Sequence, residues 1–133
     1  MQIQDLITIY KHDIRSLIEL NVAVWSSSIT NEESEDIERV QKVAIKIILK
    51  DKYTNYEESL TVTGLEKLPS WRKVLCLKFA KNCLNNDKMA SLFPLNPRYK
   101  ENSRNSERYK VNFTHSNRFK YSAITALQRL LNY

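Results

Sequence analysis

A chain of 133 residues with 42% hydrophobic and 27% charged residues has the size and composition of one globular domain with a real core. It contains one glycine, which excludes the glycine-rich phosphate loops of Walker-type, dinucleotide-binding and kinase-type enzymes. The net charge of +6 is uneven: residues 1–66 carry 7 Lys/Arg against 12 Asp/Glu, and residues 67–133 carry 14 against 3, so the second half is directed at a polyanionic partner.

The first element is a helix. Ile3, Leu6, Ile7, Tyr10, Ile14, Leu17 and Ile18 recur at three- and four-residue steps, with His12, Arg15 and Glu19 on the other side. It is expected to end near Asn21, before Val22-Ala23-Val24-Trp25 and a serine run that reads as a loop. A second helix starts at Thr30, where Glu33 three residues on completes a capping box. Asp36 and Glu38 add negative charge suited to the helix dipole. Its expected core stripe is Ile37, Val40, Val43, Ala44, Ile47 and Ile48, which leaves Ile45 and Leu49 as a second contact surface. Arg39, Lys42, Lys46 and Lys50 lie almost opposite the stripe at helical spacing.

A short third helix is predicted from Asn55, with Glu58 as its box partner, to Gly64, a natural left-handed stop. A fourth begins at Pro69 or Ser70. It carries Trp71, Val74, Leu75, Leu77, Phe79, Ala80 and Leu84 almost all round, the pattern of a helix buried on several sides at the centre of a bundle. Pro94 and Pro97 then break helical structure, and residues 96–121 read as a basic loop with at most one short strand around 109–113. Ser122 caps a terminal helix with an apolar seam of Ile124, Leu127, Leu130 and Leu131. The expected fold is mainly α: a bundle of about four helices over residues 1–86, followed over 87–133 by a basic, irregular extension ending in a short helix.

Cys76 and Cys83 fall on one face of the fourth helix, roughly 10 Å apart along its axis, too far for an intrachain disulfide. Reduced thiols indicate an intracellular protein. Neither a signal peptide nor a membrane-length apolar run is visible, so a nuclear or cytoplasmic location is expected, without secretion or membrane partners.

Catalytic chemistry finds no support in the residue pattern. His12 and His115 lack a carboxylate or cysteine at a spacing that builds a nucleophile and base. The acidic group Glu32, Glu33, Glu35, Asp36 and Glu38 suits a helix N-terminus better than a metal site, and two cysteines on one helix with two distant histidines do not make a zinc centre. No catalytic residue, metal or cofactor is expected. Two readings stay open for Arg39, Lys42, Lys46 and Lys50: a row tracking phosphates, with neighbouring side chains ~5–6 Å apart, or a solvated helix face. In the tail, Arg98, Lys100, Arg104, Arg108, Lys110, Arg118 and Lys120 alternate with Tyr99, Tyr109, Phe113, Phe119 and Tyr121. Cations beside rings are the ingredients of single-strand binding, the reading favoured here; the alternative is that the rings clamp the tail onto the bundle and the cations are solubilising. Trp25 and Trp71 read as packing residues.

Several blocks stand in a distinctive order: Ala23-Val24-Trp25, Ile37-Glu38-Arg39-Val40-Gln41-Lys42, Tyr56-Glu57-Glu58-Ser59-Leu60, Gly64-Leu65 with Leu68, and Leu75-Cys76-Leu77-Lys78-Phe79-Ala80-Lys81. Together with Leu92-Phe93-Pro94 and the closing Leu127-Gln128-Arg129-Leu130-Leu131-Asn132, this order resembles the thumb and post-thumb region of reverse transcriptases from non-LTR (LINE-like and jockey-like) retrotransposons. The likeness spans nearly the whole chain from about Asp5. It departs where the family shows an Arg-Arg pair, since Trp71 precedes Arg72 here, and in having Glu66 in the usual proline position, with proline at Pro69. The resemblance implies a catalytic palm upstream of Met1, a genuine C-terminus, and a non-catalytic part of an RNA-directed DNA polymerase that binds RNA, DNA or hybrid. On that reading the nucleic-acid contacts are Arg39, Lys42, Lys46, Lys50, Arg98, Lys100, Arg104, Arg108, Tyr109, Lys110, Arg118, Phe119 and Lys120. Two other readings are a stand-alone helical protein-interaction module, whose apolar surface once met the palm, and a translated transposon remnant without selected function.

Overall fold

The computed structural model describes residues 1–101, 104 and 107–132. The fold is mainly helical, with no strand among the described residues. Backbone contacts divide it into two compact units, residues 1–22 with 29–73 and residues 23–28 with 74–133. One boundary of this division lies within a helix, after Lys73.

In the first unit, α1 (Ile3–Ile9) runs into a π-helical turn (Tyr10–Arg15) and continues as α2 (Ser16–Glu19). Ile7 and Tyr10 are buried as expected, but Ile14 and Leu17 are 41% and 72% exposed. The π-turn is the cause. Its wider i→i+5 spacing advances the inward positions by one residue, to Arg15, Ile18 and Glu19, all half-buried. Arg15 and Glu19, expected to face solvent, instead form a 2.9 Å ion pair. The Arg15 guanidinium lies 4.8 Å from the centroid of the Trp71 ring, and the Trp71 indole N–H donates to Glu19. The apolar stretch expected to open a loop is instead a single helical turn, α3 (Val22–Trp25).

Helix α4 (Asn31–Leu49) begins as expected: Thr30 Oγ1 accepts from the Glu33 amide at 3.2 Å, and Glu33 Oε2 accepts from the Thr30 amide at 2.8 Å. Its inward face is rotated from the expected one. Glu38, Gln41, Ile45, Ile48 and Leu49 are buried, whereas Val40, Val43 and Ile47 are 47%, 51% and 63% exposed. Ile45 and Leu49 are therefore core residues, not a second contact surface.

The rotation is set by a buried polar network. Gln41 Oε1 accepts from the Tyr10 hydroxyl at 2.8 Å. Gln41 Nε2 donates to the Tyr56 hydroxyl at 3.1 Å and to the Glu66 carbonyl at 2.8 Å. The Tyr56 hydroxyl donates in turn to Glu38. The other Glu38 oxygen accepts from the Leu68 amide at 2.9 Å, so this carboxylate satisfies a donor at the start of α6 (Leu68–Leu84).

Between them, α5 (Tyr56–Thr63) is capped by Asn55, whose Oδ1 accepts from the Glu58 amide at 2.9 Å. The box is not closed, because Glu58 Oε2 takes a hydrogen bond from Thr54 at 2.6 Å. Gly64, at φ 67° and ψ 23°, ends the helix in the left-handed conformation. Ile7, Tyr10, Ile45, Ile48, Leu49, Leu60 and Leu65 form the core of this unit.

Helix α6 is not apolar all round. Its buried line is Leu68, Arg72, Cys76, Ala80 and Cys83, while Val74 and Phe79 are exposed. Arg72 is buried and donates to Ser34 Oγ at 2.6 Å. Both cysteines are free and buried.

The second unit packs around Ala23, Cys76, Ala80, Cys83, Phe93 and Leu127. It includes the short α7 (Asp87–Ala90), α8 (Asn117–Lys120) and the terminal α9 (Ala123–Leu130). Ser122 precedes α9 but directs its hydroxyl to Phe119 O and Thr125 Oγ1, not to a helix amide. The inward face of α9 is Thr125, Leu127 and Gln128, with Leu130 and Leu131 half-buried and Ile124 outside. In place of a strand over 109–113 there is one antiparallel bridge, Leu95 to Tyr109. Within the expected irregular stretch 96–121, residues 102, 103, 105 and 106 lie outside the described residues.

Candidate nucleic-acid interface

In the first unit, Arg39, Lys42 and Lys46 are exposed on α4, as their spacing predicts. Each is already engaged. Arg39 forms a 2.7 Å ion pair with Asp36. The Lys42 ammonium lies 5.1 Å from the Tyr56 ring centroid, and that of Lys46 lies 5.5 Å from the Tyr53 ring. At exposed positions such contacts contribute only ~0.5–1 kcal/mol each, so a phosphate competes with them at small cost. Lys50 does not extend the row. Helix α4 ends at Leu49, and Lys50 turns away at φ 49° and ψ −119°.

In the second unit the tail is organised by two side-chain amides, Gln128 in α9 and Asn132 just beyond its end. Gln128 is buried; its Nε2 donates to the Leu92 carbonyl at 2.8 Å and its Oε1 accepts from the Asn112 amide at 3.1 Å. One turn later, Asn132 Oδ1 accepts from the Tyr109 amide at 2.8 Å and its Nδ2 donates to the Tyr109 carbonyl at 3.0 Å. These two residues occupy the backbone of the tail as a neighbouring strand would. Tyr109, expected to contact nucleic acid, is half-buried against the core. Packed there, it clamps the tail onto that core.

The loop held in this way brings separated cations together. The Asn96 amide donates to Arg108 O at 2.8 Å and the Lys110 amide to Pro94 O at 2.9 Å. Asn96 Nδ2 donates to Glu107 O at 3.0 Å, and its Oδ1 accepts from the Arg98 amide at 3.0 Å. Around this frame lies a hollow of about 570 Å³ walled by Asn96, Pro97, Arg98, Arg104, Glu107 and Lys110. Arg108 lines a second hollow of about 420 Å³ with Leu95, Asn96, Tyr99 and Glu101. Lys100 is exposed beside it in sequence.

Arg118, Phe119 and Lys120 share α8, capped by Ser116, whose Oγ accepts from the Phe119 amide at 3.3 Å; all three are exposed. The Tyr121 ring that follows lies 5.5 Å from the Lys120 ammonium and 5.8 Å from the Arg129 guanidinium. Ser27 Oγ fixes the turn by donating to Tyr121 O at 2.8 Å. Phe113 is 79% exposed and stands nearly perpendicular to the His115 ring, with centroids 4.8 Å apart. Among the described residues of the tail, the rings offered to solvent are Tyr99, Phe113, Phe119 and Tyr121.

The expectation for the tail omitted Asn96, Gln128 and Asn132, whose polar side chains carry no periodic signal. Burial raises the Tyr10 hydroxyl to about 12, and burial with the hydrogen bond to Glu38 raises Tyr56 further. Among the described residues no three His, Cys, Asp or Glu side chains are grouped to hold a metal ion, and no helix is long and apolar enough to cross a membrane. The chain matches no model of a known protein family, no curated protein and no solved structure.

Proposed function

We propose that this chain is a non-catalytic, nucleic-acid-binding C-terminal part of a non-LTR retrotransposon reverse transcriptase. The ancestry rests on the block order of the sequence. The binding rests on one observation: among the described residues, Arg98, Arg104 and Lys110 line a single hollow together with the carboxylate of Glu107. Three cations around a concavity hold a phosphate backbone without reading sequence. Phe119, beside Arg118 and Lys120, supplies a ring next to further cations, a pairing suited to a single strand. The test is a titration of the chain against labelled single strands, duplex and hybrid at several salt concentrations. Affinity falling steeply with salt is the expected result; absent or salt-independent binding by the folded chain refutes it.

A second reading, a helical protein-interaction module, is favoured by the exposed row Val40, Val43 and Ile47 on α4. It no longer rests on Ile45 and Leu49, which are core. It expects concentration-dependent self-association by sedimentation, abolished by Val43→Asp with Ile47→Asp; a monomer at all concentrations counts against it.

A further inference from the structure

The two hollows of the tail adjoin at Asn96 and differ in chemistry. The larger holds Arg98, Arg104 and Lys110 against Glu107. The smaller holds the Tyr99 ring, 39% exposed, the aliphatic Leu95, and one charge of each sign, Arg108 and Glu101. One is strongly cationic, and the other is balanced in charge with an aromatic wall. Each lies within the roughly 300–1,000 Å³ usual for small-ligand sites.

Their spacing is fixed, because Asn96 between them has every polar group committed. Its amide donates to Arg108 O, its carbonyl accepts from the Tyr99 amide at 3.0 Å, and its side chain bridges the Glu107 carbonyl and the Arg98 amide. The bond to the Tyr99 amide also sets the backbone on which the ring stands. A cationic hold and a ring at a fixed separation match the two halves of a nucleotide, its phosphate and its base.

We infer that this loop seats one nucleotide of a single strand, its phosphate among Arg98, Arg104 and Lys110 and its base on Tyr99, and that Glu101 makes the seat selective for bases carrying an exocyclic amine. An ionised carboxylate only accepts hydrogen bonds. It therefore accepts from the N4 amine of cytosine and repels the O4 carbonyl that thymine or uracil presents there. A duplex is a poor ligand for this seat, since its bases are stacked and their pairing edges occupied. The inference deepens the nucleic-acid reading above and rests on it.

The test uses the full chain and end-labelled oligo-dC, oligo-dT and a duplex of equal length, followed by fluorescence anisotropy. Oligo-dC is expected to bind at least roughly fivefold more tightly than oligo-dT, the low end for one good base contact. Glu101→Gln, whose amide both donates and accepts, should erase that difference and leave the salt dependence in place. Tyr99→Ala should weaken oligo-dC binding by roughly fivefold to a hundredfold, the range for loss of one base stack, while Tyr99→Phe retains it. Circular dichroism of each variant establishes that helicity is unchanged. Equal affinity for oligo-dC and oligo-dT, unaffected by Tyr99→Ala, overturns the seat, and steep salt dependence in that same experiment leaves the electrostatic reading standing. Failure of every oligonucleotide to bind at low salt overturns both.

Discussion

Replacing Arg98, Arg104 and Lys110 together with glutamine is the most direct perturbation of the larger hollow. The loop itself should survive it. The bonds that shape the loop involve the backbone of Arg98, Glu107, Arg108 and Lys110 and the side chain of Asn96, and none uses the three substituted side chains. Exposed substitutions of this kind usually shift stability by no more than ~0.5 kcal/mol. The effect on binding is calculable. Each cation that neutralises a phosphate of a single strand contributes about −0.7 to the slope of log affinity against log salt, so removing three flattens the slope by roughly 2. Raising salt from about 50 to about 200 mM should then weaken the wild-type chain roughly 20-fold more than the variant. Anisotropy titrations of one labelled single strand over that range measure both slopes. Parallel slopes would refute the reasoning, because they would mean that these cations face solvent and touch no phosphate. The same substitution of Arg39, Lys42 and Lys46 asks the identical question of α4 in the first unit.

Two further predictions concern the polar network of that unit. Gln41→Leu removes the acceptor for the buried Tyr10 hydroxyl and the donor to Glu66 O, and should cost about 2–4 kcal/mol in urea unfolding; adding Tyr10→Phe should recover part of it, and an additive double variant would show that the pair does not interact. Stability should also fall in alkali, because an unfolded tyrosine releases its proton near pH 10 while Tyr10 holds its proton to about 12. Between those values the unfolded state binds fewer protons, so stability is complete at neutral pH and is lost as pH rises through that window. Tyr10→Phe should flatten the profile there, and an unchanged slope would show that the hydroxyl does not keep its proton.

The parts of the fold visible in the sequence are those decided over three or four residues. Thr30 with Glu33, Asn55, and Gly64 each satisfy or end a helix within one turn, so their roles follow from local hydrogen-bonding rules. The inward face of α4 does not. That helix carries apolar residues at Val40, Val43 and Ile47 as well as at Ile45, Ile48 and Leu49, and periodicity gives no ground for choosing between the sets. The choice is made by Gln41 and Glu38, polar residues whose burial depends on Tyr10, Tyr56 and the Leu68 amide far along the chain. Helix α1 fails differently. Its stripe is correct as far as Tyr10, and the π-turn then moves the inward positions by one residue, which a constant 3.6-residue period does not anticipate.

For the tail, a row of cations and rings is ambiguous for a physical reason: the residues that stack on bases are the same residues that pack on a core. Tyr99 and Tyr109 are equivalent in the sequence, each next to a lysine and each within one residue of an arginine. Their fates separate because Asn132, 23 residues beyond Tyr109, takes both its amide and its carbonyl, whereas the amide of Tyr99 is held by Asn96 and its ring is left at the rim of a hollow. Clamp and stack are therefore parts of one arrangement. Drawing Tyr109 onto the core fixes the backbone from Glu107 to Lys110, and that backbone in turn holds Asn96 between the cations and the Tyr99 ring. Loosening the clamp by Asn132→Ala should for that reason weaken single-strand binding although no cation is lost, a coupling that a tail of independent charges would not show.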